Sequence, residues 1–453
     1  MKNVLTMGCL LMASAAFAEA TIDKVLVRQQ WPWSREVRVD YEVSGAEGAG
    51  VDLAVEVKAG DVTLGAEAVR QAIVDGYIHG VKNGYGHFAF DPLKAFGSGA
   101  TTREISVKLT VDKASDPLAD RVEYRVFDLV TGKVTDLRRR DFFSRPGVYG
   151  AYTTDYSAVG PGFVSSLPAE ENFVWTGVNA DEYKTTKLVM KRIPAGGKVW
   201  WMGPTDDDEL AIRTGTYLET RFQVKHTKDF FLGVFELTTR QHELVTGVDP
   251  SFFTNQAHHA KAPVHNINMH TVMLDESGFC KMASAKFGKT IRFPYEAEWE
   301  FAAKAGYDGP NYPNGKAVNS ANFGELEGYT SGSGSTDRNA PYFPYAAGTG
   351  RPNPFGLYNM YGNVRECMGD LVQKDLLTYY EVTRKLVQPF VDPYSTSQNV
   401  GAEAYPYKGC DFNRIEQFIP SRPSARKGYV PSQFYNDAGC PGTFGCRVMC
   451  ECE

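Results

Sequence analysis

The stretch GLYNMYGNVREC, residues 356–367, carries oxygen-bearing groups at spacings that could hold a cation, and it shows no apolar period typical of a helix or strand. Asn359 offers an amide, Glu366 offers a carboxylate, and the backbone carbonyls of Gly362 and Val364 lie between them in sequence. Calcium takes six to eight oxygen ligands at about 2.3–2.6 Å and accepts carbonyls as readily as carboxylates. We therefore predict that these four residues bind one structural calcium ion, with Gly362 permitting the backbone turn.

A histidine-rich segment, HHAKAPVHNINMH, is a second candidate metal site. It contains His258, His259, His265 and His270, and imidazole is a common metal ligand. Pro263 and the absence of helical spacing favour a polar loop instead.

The C-terminal stretch FGCRVMCEC places cysteines on alternate positions, so a strand would bring Cys446, Cys450 and Cys452 to one face together with Val448. A thiolate metal site is one interpretation. Because the spacing matches no standard zinc pattern, we favour a buried strand with one disulfide to Cys440 or Cys410.

The amino-acid composition and net charge limit the kinds of molecule that this protein can bind. The chain has 453 residues, of which 43% are hydrophobic and 23% charged, as expected for two or three globular domains. Its 48 basic and 54 acidic residues give a net charge of −6, which argues against a nucleic-acid partner.

The first residues predict export. Lys2, the apolar run 4–15 and Ala16-Phe17-Ala18 form the three parts of a signal peptide, residues 1–18. No later run reaches the ~18 apolar residues of a membrane span. The expected destination is the periplasm, the cell surface or the medium.

Two regions differ in pattern. Residues 19–145 consist of short β-rich runs such as EVRVDYEV and VEYRVFDLV, separated by turn residues and without a predicted helix, which predicts an all-β immunoglobulin-like sandwich. Residues 146–184 are predicted to form a connector.

Three helices are predicted in the second region. TTRQHELVTG has a capping box from Thr238 to Gln241 and stops at Gly247. A second helix should begin after Asn268 and end at Gly288. The third, in FPYEAEWEFAAKAG, has Pro294 in its first turn.

Five blocks in the order VMKRIPAGGKVWWMG, FFLGVFELTTRQHELV, IRFPYEAEWEFAAKAG, NPFGLYNMYGNVREC and FGCRV resemble the sulfatase-modifying factor family, which includes the formylglycine-generating enzyme. The resemblance runs from about residue 185 to 453. It implies an α+β domain with little regular secondary structure, similar to C-type lectins, with bound calcium. The family's second calcium motif maps onto Asn359, Gly362, Val364 and Glu366. Its first maps onto Asn322 and Phe323, with Asp337 as a further ligand.

The resemblance fails at the catalytic position. The formylglycine-generating enzyme oxidises a substrate cysteine with two cysteines that bind copper. Aligning Lys408-Gly409-Cys410 on the block that precedes them places Asn413 and Phe418 where the thiols belong. Because an amide and a phenyl ring do not bind Cu(I) as thiolates do, copper is not expected.

Three functions follow as alternatives. The first is non-catalytic binding of a peptide, protein or glycan by aromatic loops near Arg422 and Arg426. The aromatic residues in question are Tyr342, Phe343, Tyr345, Tyr405, Tyr407, Tyr429, Phe434 and Tyr435. The second is oxidation of a sulfatase cysteine. The third is another metal-dependent oxidase of the superfamily, such as the iron-dependent sulfoxide synthases, although their H-x-x-x-H-x-E spacing does not occur in this sequence.

Overall fold

The structure is a computed structural model. It describes residues 20–29, 34–97, 105–144, 146–155, 171–206, 219, 221–267, 272, 275–308, 343–371, 389–394, 405–410, 422–425, 427–429 and 444–452. The described chain forms two compact units, one within residues 1–121 and 139–148 and the other within residues 122–138 and 149–453.

The first unit contains two antiparallel sheets, with strand orders β1-β2-β6-β5 and β4-β3-β7. Its strands are β1 (Thr21–Gln29), β2 (Val37–Ser44), β3 (Val51–Ala59), β4 (Val62–Leu64), β5 (Ile73–Gly76), β6 (Gly84–Phe90) and β7 (Ile105–Ala114). Its helices are α1 (Ala66–Ala72), α2 (Pro92–Phe96), α3 (Arg139–Ser144) and α4 (Pro146–Tyr149). Alternate side chains of β2 and β3 are buried, and both sheets contribute to a single core.

The expectation of no helix in this region is wrong. Helix α2 begins where Asp91 accepts a hydrogen bond from the Leu93 N–H at 2.9 Å and Pro92 takes the first helical position. Both are standard start signals, so the helix could have been predicted from DPLKAF.

The second unit is built on a six-stranded sheet of order β16-β22-β15-β12-β8-β9, with three smaller sheets of orders β10-β11, β13-β14-β18 and β20-β19-β17-β21. Its strands are β8 (Val122–Asp128), β9 (Val134–Arg138), β10 (Tyr152–Thr153), β11 (Val174–Trp175), β12 (Lys187–Ile193), β13 (Val199–Met202), β14 (Phe222–Lys225), β15 (Phe230–Gly233), β16 (Ile291–Arg292), β17 (Arg365–Cys367), β18 (Phe390–Val391), β19 (Tyr405–Lys408), β20 (Lys427–Tyr429), β21 (Phe444–Gly445) and β22 (Met449–Glu451). Its helices are α5 (Thr239–Thr246), α6 (Phe279–Phe287) and α7 (Glu296–Lys304), with 3-10 turns at Thr176–Val178, Asp181–Lys184 and His259–Lys261.

Strands β8 and β9 do not belong to the N-terminal sandwich, contrary to the boundary predicted at residue 145. Strand β8 pairs antiparallel with β12, from Lys187 opposite Asp128 to Lys191 opposite Tyr124. Strand pairing between distant segments is not readable from a local β pattern, and this explains the misplacement.

Both faces of the six-stranded sheet bury apolar side chains, because neighbouring residues of a strand point to opposite sides. Phe231 and Cys450 belong to one core cluster, whereas Leu232 and Met449 belong to another. The central strands are therefore covered on both faces.

Two of the three predicted helices form largely as expected. Helix α5 begins at the capping box of Thr238 and Gln241 and ends at left-handed Gly247. Helix α7 begins after Tyr295, whose N–H donates to the Glu298 carboxylate at 2.7 Å, so Pro294 precedes the cap and does not lie in the first turn as predicted. Helix α6 ends at Gly288 as predicted, but residues 275–278 form a turn before it, so no continuous helix runs from Asn268, which lies outside the described residues.

Across the described part of the chain, no helix is long and apolar enough to cross a lipid bilayer.

Candidate functional site

The predicted calcium segment forms a buried loop that ends in β17, a strand the sequence did not indicate. Asn359 and Asn363 adopt left-handed backbone conformations, with φ of 58° and 69°. Gly362 does not have a positive φ, so the turn depends on two asparagines rather than on this glycine. Asparagine is among the few residues that tolerate this conformation.

Glu366 lies at the centre of a buried cluster of polar groups that we call the glutamate hub, formed by Glu366, Arg447, Trp299, Glu236 and Asn363. The guanidinium of Arg447 donates to Glu366 through Nε at 3.1 Å and through Nη2 at 2.8 Å. The indole Nε1 of Trp299 donates to the other carboxylate oxygen at 2.6 Å. Arg447 and Glu366 are 0% and 1% exposed as side chains. The two charges therefore neutralise each other inside the core.

Glu236 is the second carboxyl group of the hub. Asn363 Nδ2 donates to it at 2.8 Å, and the Val364 N–H donates at 3.2 Å. Burial and the nearby negative charge of Glu366 raise the Glu236 pKa well above its usual value, although Arg447 opposes this shift. Arg447 thus compensates the negative charge of Glu366, to which it donates hydrogen bonds, more directly than that of Glu236.

The arrangement of these residues does not present an open set of oxygens to calcium. The Glu366 lone pairs already accept from Arg447 and Trp299, and a cation at the same oxygens would sit beside a guanidinium. The Asn359 amide oxygen accepts from the Gly348 N–H at 2.9 Å, and the Gly362 carbonyl accepts from the Val364 N–H at 3.0 Å. As arranged, the Glu366 carboxylate does not fit a calcium ligand unless Arg447 moves.

The other predicted calcium residues, Asn322, Phe323 and Asp337, lie outside the described residues. Within the described ranges, no group of three or more His, Cys, Asp and Glu side chains could hold a metal ion. Calcium binding by this chain stays a prediction.

The histidine-rich segment does not gather into one site. His258 Nε2 lies 2.8 Å from the Pro344 carbonyl, and His259 Nε2 lies 2.7 Å from Asp249 Oδ2. His265 is buried and accepts from the Phe253 N–H at 3.0 Å. Each of these imidazoles has its own protein partner, while His270 falls outside the described residues.

The described cysteines form no disulfide with one another. Cys446 and Cys450 lie in one core cluster with Cys452 packed against it, as the strand pattern predicted. Burial, followed by the neighbouring thiols of Cys280 and Cys367, raises the Cys446 pKa well above its usual value. Cys410 is also buried.

Cys440, Asn413 and Phe418 are not among the described residues. The predicted disulfide to Cys440 and the replacement of the copper-binding pair therefore stay predictions.

A cleft of about 370 Å³ opens on the second unit, and we call it the tyrosine cleft. Four separate segments line it: the turn between β14 and β15, the approach to α7, the residues after β18, and the end of β22. Its lining residues are His226, Thr227, Lys228, Asp229, Phe230, Arg292, Tyr295, Glu298, Asp392, Pro393, Tyr394, Met449, Glu451 and Cys452.

An ordered stack forms one wall of the tyrosine cleft. The Tyr295 and Tyr394 rings are nearly parallel, with centroids 5.1 Å apart. The Arg292 guanidinium lies 3.9 Å from the Tyr295 centroid. Tyr394 is 57% exposed, so a large part of its ring is open to a ligand.

Ion pairs fix this stack in place. Arg292 donates two parallel hydrogen bonds of 2.8 Å to Glu298, and its Nε donates to Glu451 at 3.2 Å. Burial lowers the pKa of Arg292, but Glu298, Tyr295 and Glu451 together outweigh it, so the pKa is raised above its usual value. Because Glu298 also caps α7 through the Tyr295 N–H, this one carboxylate orients both Arg292 and Tyr295.

Sequence reasoning missed the tyrosine cleft. The predicted aromatic residues within the described ranges fill other places: Tyr405 is buried in the core, and Tyr407 packs edge-on against Phe444 at 5.2 Å. Arg422 is buried and paired with Glu219 at 2.9 Å. A tyrosine directly before a capped helix, as in FPYEAE, was the one available signal.

Comparison with known proteins identifies the class. A family model described as a sulfatase-modifying factor enzyme 1-like domain matches residues 180–440, more than half of the chain. The chain belongs to this family, as its sequence blocks predicted.

Two solved structures are similar to this chain. PvdO from Pseudomonas aeruginosa is 22% identical, with 58% of this chain and 94% of PvdO covered at a TM-score of 0.44. CarF is 14% identical, with 56% of this chain and 99% of CarF covered at a TM-score of 0.35. No curated protein matches the chain.

Proposed function

We propose that this chain is an exported, non-catalytic member of the sulfatase-modifying factor family that binds a peptide, protein or glycan. The observation that carries this proposal is the tyrosine cleft, where the exposed Tyr394 ring rests on a second ring held by a charged network. Binding sites combine an apolar or aromatic wall with a few fixed polar groups, and this cleft has both. Its volume of about 370 Å³ suits one or two side chains or sugar rings.

The state of the described thiols supports a non-catalytic role. Burial raises the pKa of both Cys280 and Cys452 to about 12. The thiolate is the form that binds metals and attacks substrates, and these groups remain protonated at neutral pH. The alignment of Asn413 and Phe418 with the family's copper ligands points the same way.

A direct binding measurement tests the proposal. Purified mature protein should bind a subset of an array of glycans and of a peptide library, and Tyr394→Ala should weaken that binding at least fivefold. Tyr85→Ala is the matched control, because Tyr85 is 79% exposed and lies in the other unit. Equal effects of the two substitutions, or no binding to either library, would reject the cleft as the site.

The alternative function is a formylglycine-generating type of oxidase or another metal-dependent oxidase of the superfamily. Membership in the family favours this second candidate. Protein supplied with copper and a cysteine peptide would then consume oxygen, and Cys410→Ser would abolish the reaction. We expect no consumption above that of free copper, and turnover by the wild-type chain would overturn the non-catalytic assignment.

Three further features belong to this proposal. The first unit adopts an immunoglobulin-like topology, and the second is related to C-type lectins. Residues 1–18 are removed on export, so N-terminal sequencing of secreted protein should begin at Glu19. The predicted calcium ion belongs to this proposal only on the condition that Glu366 exchanges Arg447 for the ion.

A further inference from the structure

The tyrosine cleft carries an excess of negative charge. Asp229, Glu298, Asp392 and Glu451 line it against only Lys228 and Arg292, which leaves −2 when histidine is neutral. Arg192 pairs with Asp229 from outside the lining, and the local sum is still negative with it included. A surface of this sign attracts cations and repels anions.

The distribution of the cleft charges is uneven. Arg292 is already matched by Glu298 and Glu451, and Asp229 is matched by Arg192. The Asp392 side chain is 48% exposed, and its carboxylate accepts hydrogen bonds from Thr227, an uncharged residue. The Glu451 side chain is 55% exposed. These two carboxylates are the ones that a ligand can reach.

The tyrosine stack already holds one cation of the protein itself. Arg292 lies over Tyr295 while a carboxylate, Glu298, grips its guanidinium. Aromatic faces carry negative potential and attract guanidinium and ammonium groups within about 6 Å of the ring centre. The exposed Tyr394 ring, with Asp392 two residues earlier, offers the same combination of ring and carboxylate to a ligand.

A buried histidine lies beside one of these carboxylates. His226 lines the cleft, is 3% exposed, and stacks on Trp200 with ring centroids 5.9 Å apart. Its Nδ1 is 3.9 Å from Asp392 Oδ1. The imidazole therefore forms part of the wall next to Asp392.

We propose that the tyrosine cleft binds the guanidinium or ammonium group of a ligand over the exposed face of Tyr394, with Asp392 and Glu451 as its counter-charges. This inference rests on the proposed binding function and names the ligand chemistry. The cation has two possible sources, a basic side chain of a peptide and a free amine.

Isothermal titration of the mature full-length protein at low ionic strength separates the possibilities. The probes are a short acetylated and amidated peptide with one arginine, the same peptide with citrulline, and spermidine. Citrulline keeps the shape of arginine and removes the charge, so the arginine peptide should bind at least fivefold more tightly. If spermidine binds more tightly than the arginine peptide, the natural cation is a free amine. If the arginine peptide binds more tightly, the cation is a basic side chain of a protein or peptide.

Matched variants connect the binding to this cleft. Tyr394→Ala should weaken the cationic probe about threefold to fivefold, and Glu451→Gln and Asp392→Asn about twofold to fivefold each. Tyr85→Ala and Glu276→Gln, which change exposed groups of the same types away from the lining, should leave the affinity unchanged. Glu451→Gln guards against misfolding, because Glu451 is more exposed than Asp392.

Equal affinities of the arginine and citrulline peptides, or indifference to all three cleft variants, would overturn the inference. If a neutral glycan or peptide still binds in a manner sensitive to Tyr394, the proposed binding function survives without the cationic ligand. If none of these probes binds, the cationic-ligand inference falls, and the proposed binding function falls with it only if neither library yields a ligand.

Discussion

Replacing Arg447 with methionine should destabilise the second unit far more than its single charge suggests. The guanidinium is fully buried and donates to Glu366, to the Gly233 carbonyl at 2.8 Å and to the Tyr358 carbonyl at 2.6 Å. The substitution leaves a carboxylate that is 1% exposed with Trp299 as its remaining donor in the hub. Breaking a buried pair from one side costs roughly 3–5 kcal/mol of unfolding free energy.

This loss of unfolding free energy corresponds to a measurable decrease in the melting temperature, Tm. At roughly 2–4 °C per kcal/mol, this loss of roughly 3–5 kcal/mol should lower the Tm of the second unit by about 6–20 °C in differential scanning calorimetry. Arg240→Met is the control, since the Arg240 side chain is 42% exposed and its pair with Glu243 should contribute less than about 1 kcal/mol.

A double variant tests the reasoning itself. Arg447→Met with Glu366→Gln removes the stranded charge and keeps an acceptor for Trp299, so it should recover a substantial part of the lost Tm. If Arg447→Met and Arg240→Met lower the Tm equally, the buried Arg447–Glu366 pair contributes no more to stability than an exposed pair. If the Tm decreases caused by Arg447→Met and Glu366→Gln simply add in the double variant, the unpaired Glu366 charge is not the cause of the destabilisation.

Three other outcomes are expected. If calcium binds as predicted, a chelator lowers the Tm and Glu366→Ala removes most of that sensitivity, whereas an unchanged melting curve argues against the ion. Burial lowers the pKa of His242 and His265. In the unfolded chain these two imidazoles bind protons below about pH 6.5, whereas in the folded chain they do so only at lower pH. The free energy of unfolding that they contribute above about pH 6.5 is therefore lost as the pH falls. A Tm that stays flat between pH 7.5 and 5 would contradict this. Thr238→Ala should cost about 1 kcal/mol by removing the cap of α5, and Thr238→Ser should restore it, as urea titration would show.

The features predicted correctly from sequence are those with local causes. The capping box of α5 spans four consecutive residues, and the end of α6 at Gly288 needs only one left-handed residue. The family blocks are likewise contiguous stretches, so the domain class was readable before any coordinates.

The features that were missed depend on residues far apart in the chain. Glu366 was expected to face an ion because Arg447, its partner, is 81 residues away and nothing local connects them. The tyrosine cleft joins four segments, and Tyr295 meets Tyr394 across nearly a hundred residues. A left-handed turn was predicted at Gly362, yet it is placed at Asn359 and Asn363, because asparagine also adopts that conformation.

The pairing of β8 with β12 determines where the chain can be cut. A fragment that begins at residue 180, where the family match starts, would lack β8 and β9, and one that stops at 440 would also lack β22. The first loss removes one hydrogen-bonding partner of β12 and the second removes one of β15, and each leaves an exposed strand edge to which another chain can pair. Expression of the family domain alone should therefore yield aggregates, whereas a fragment from residue 122 to the last residue retains every strand of the sheet.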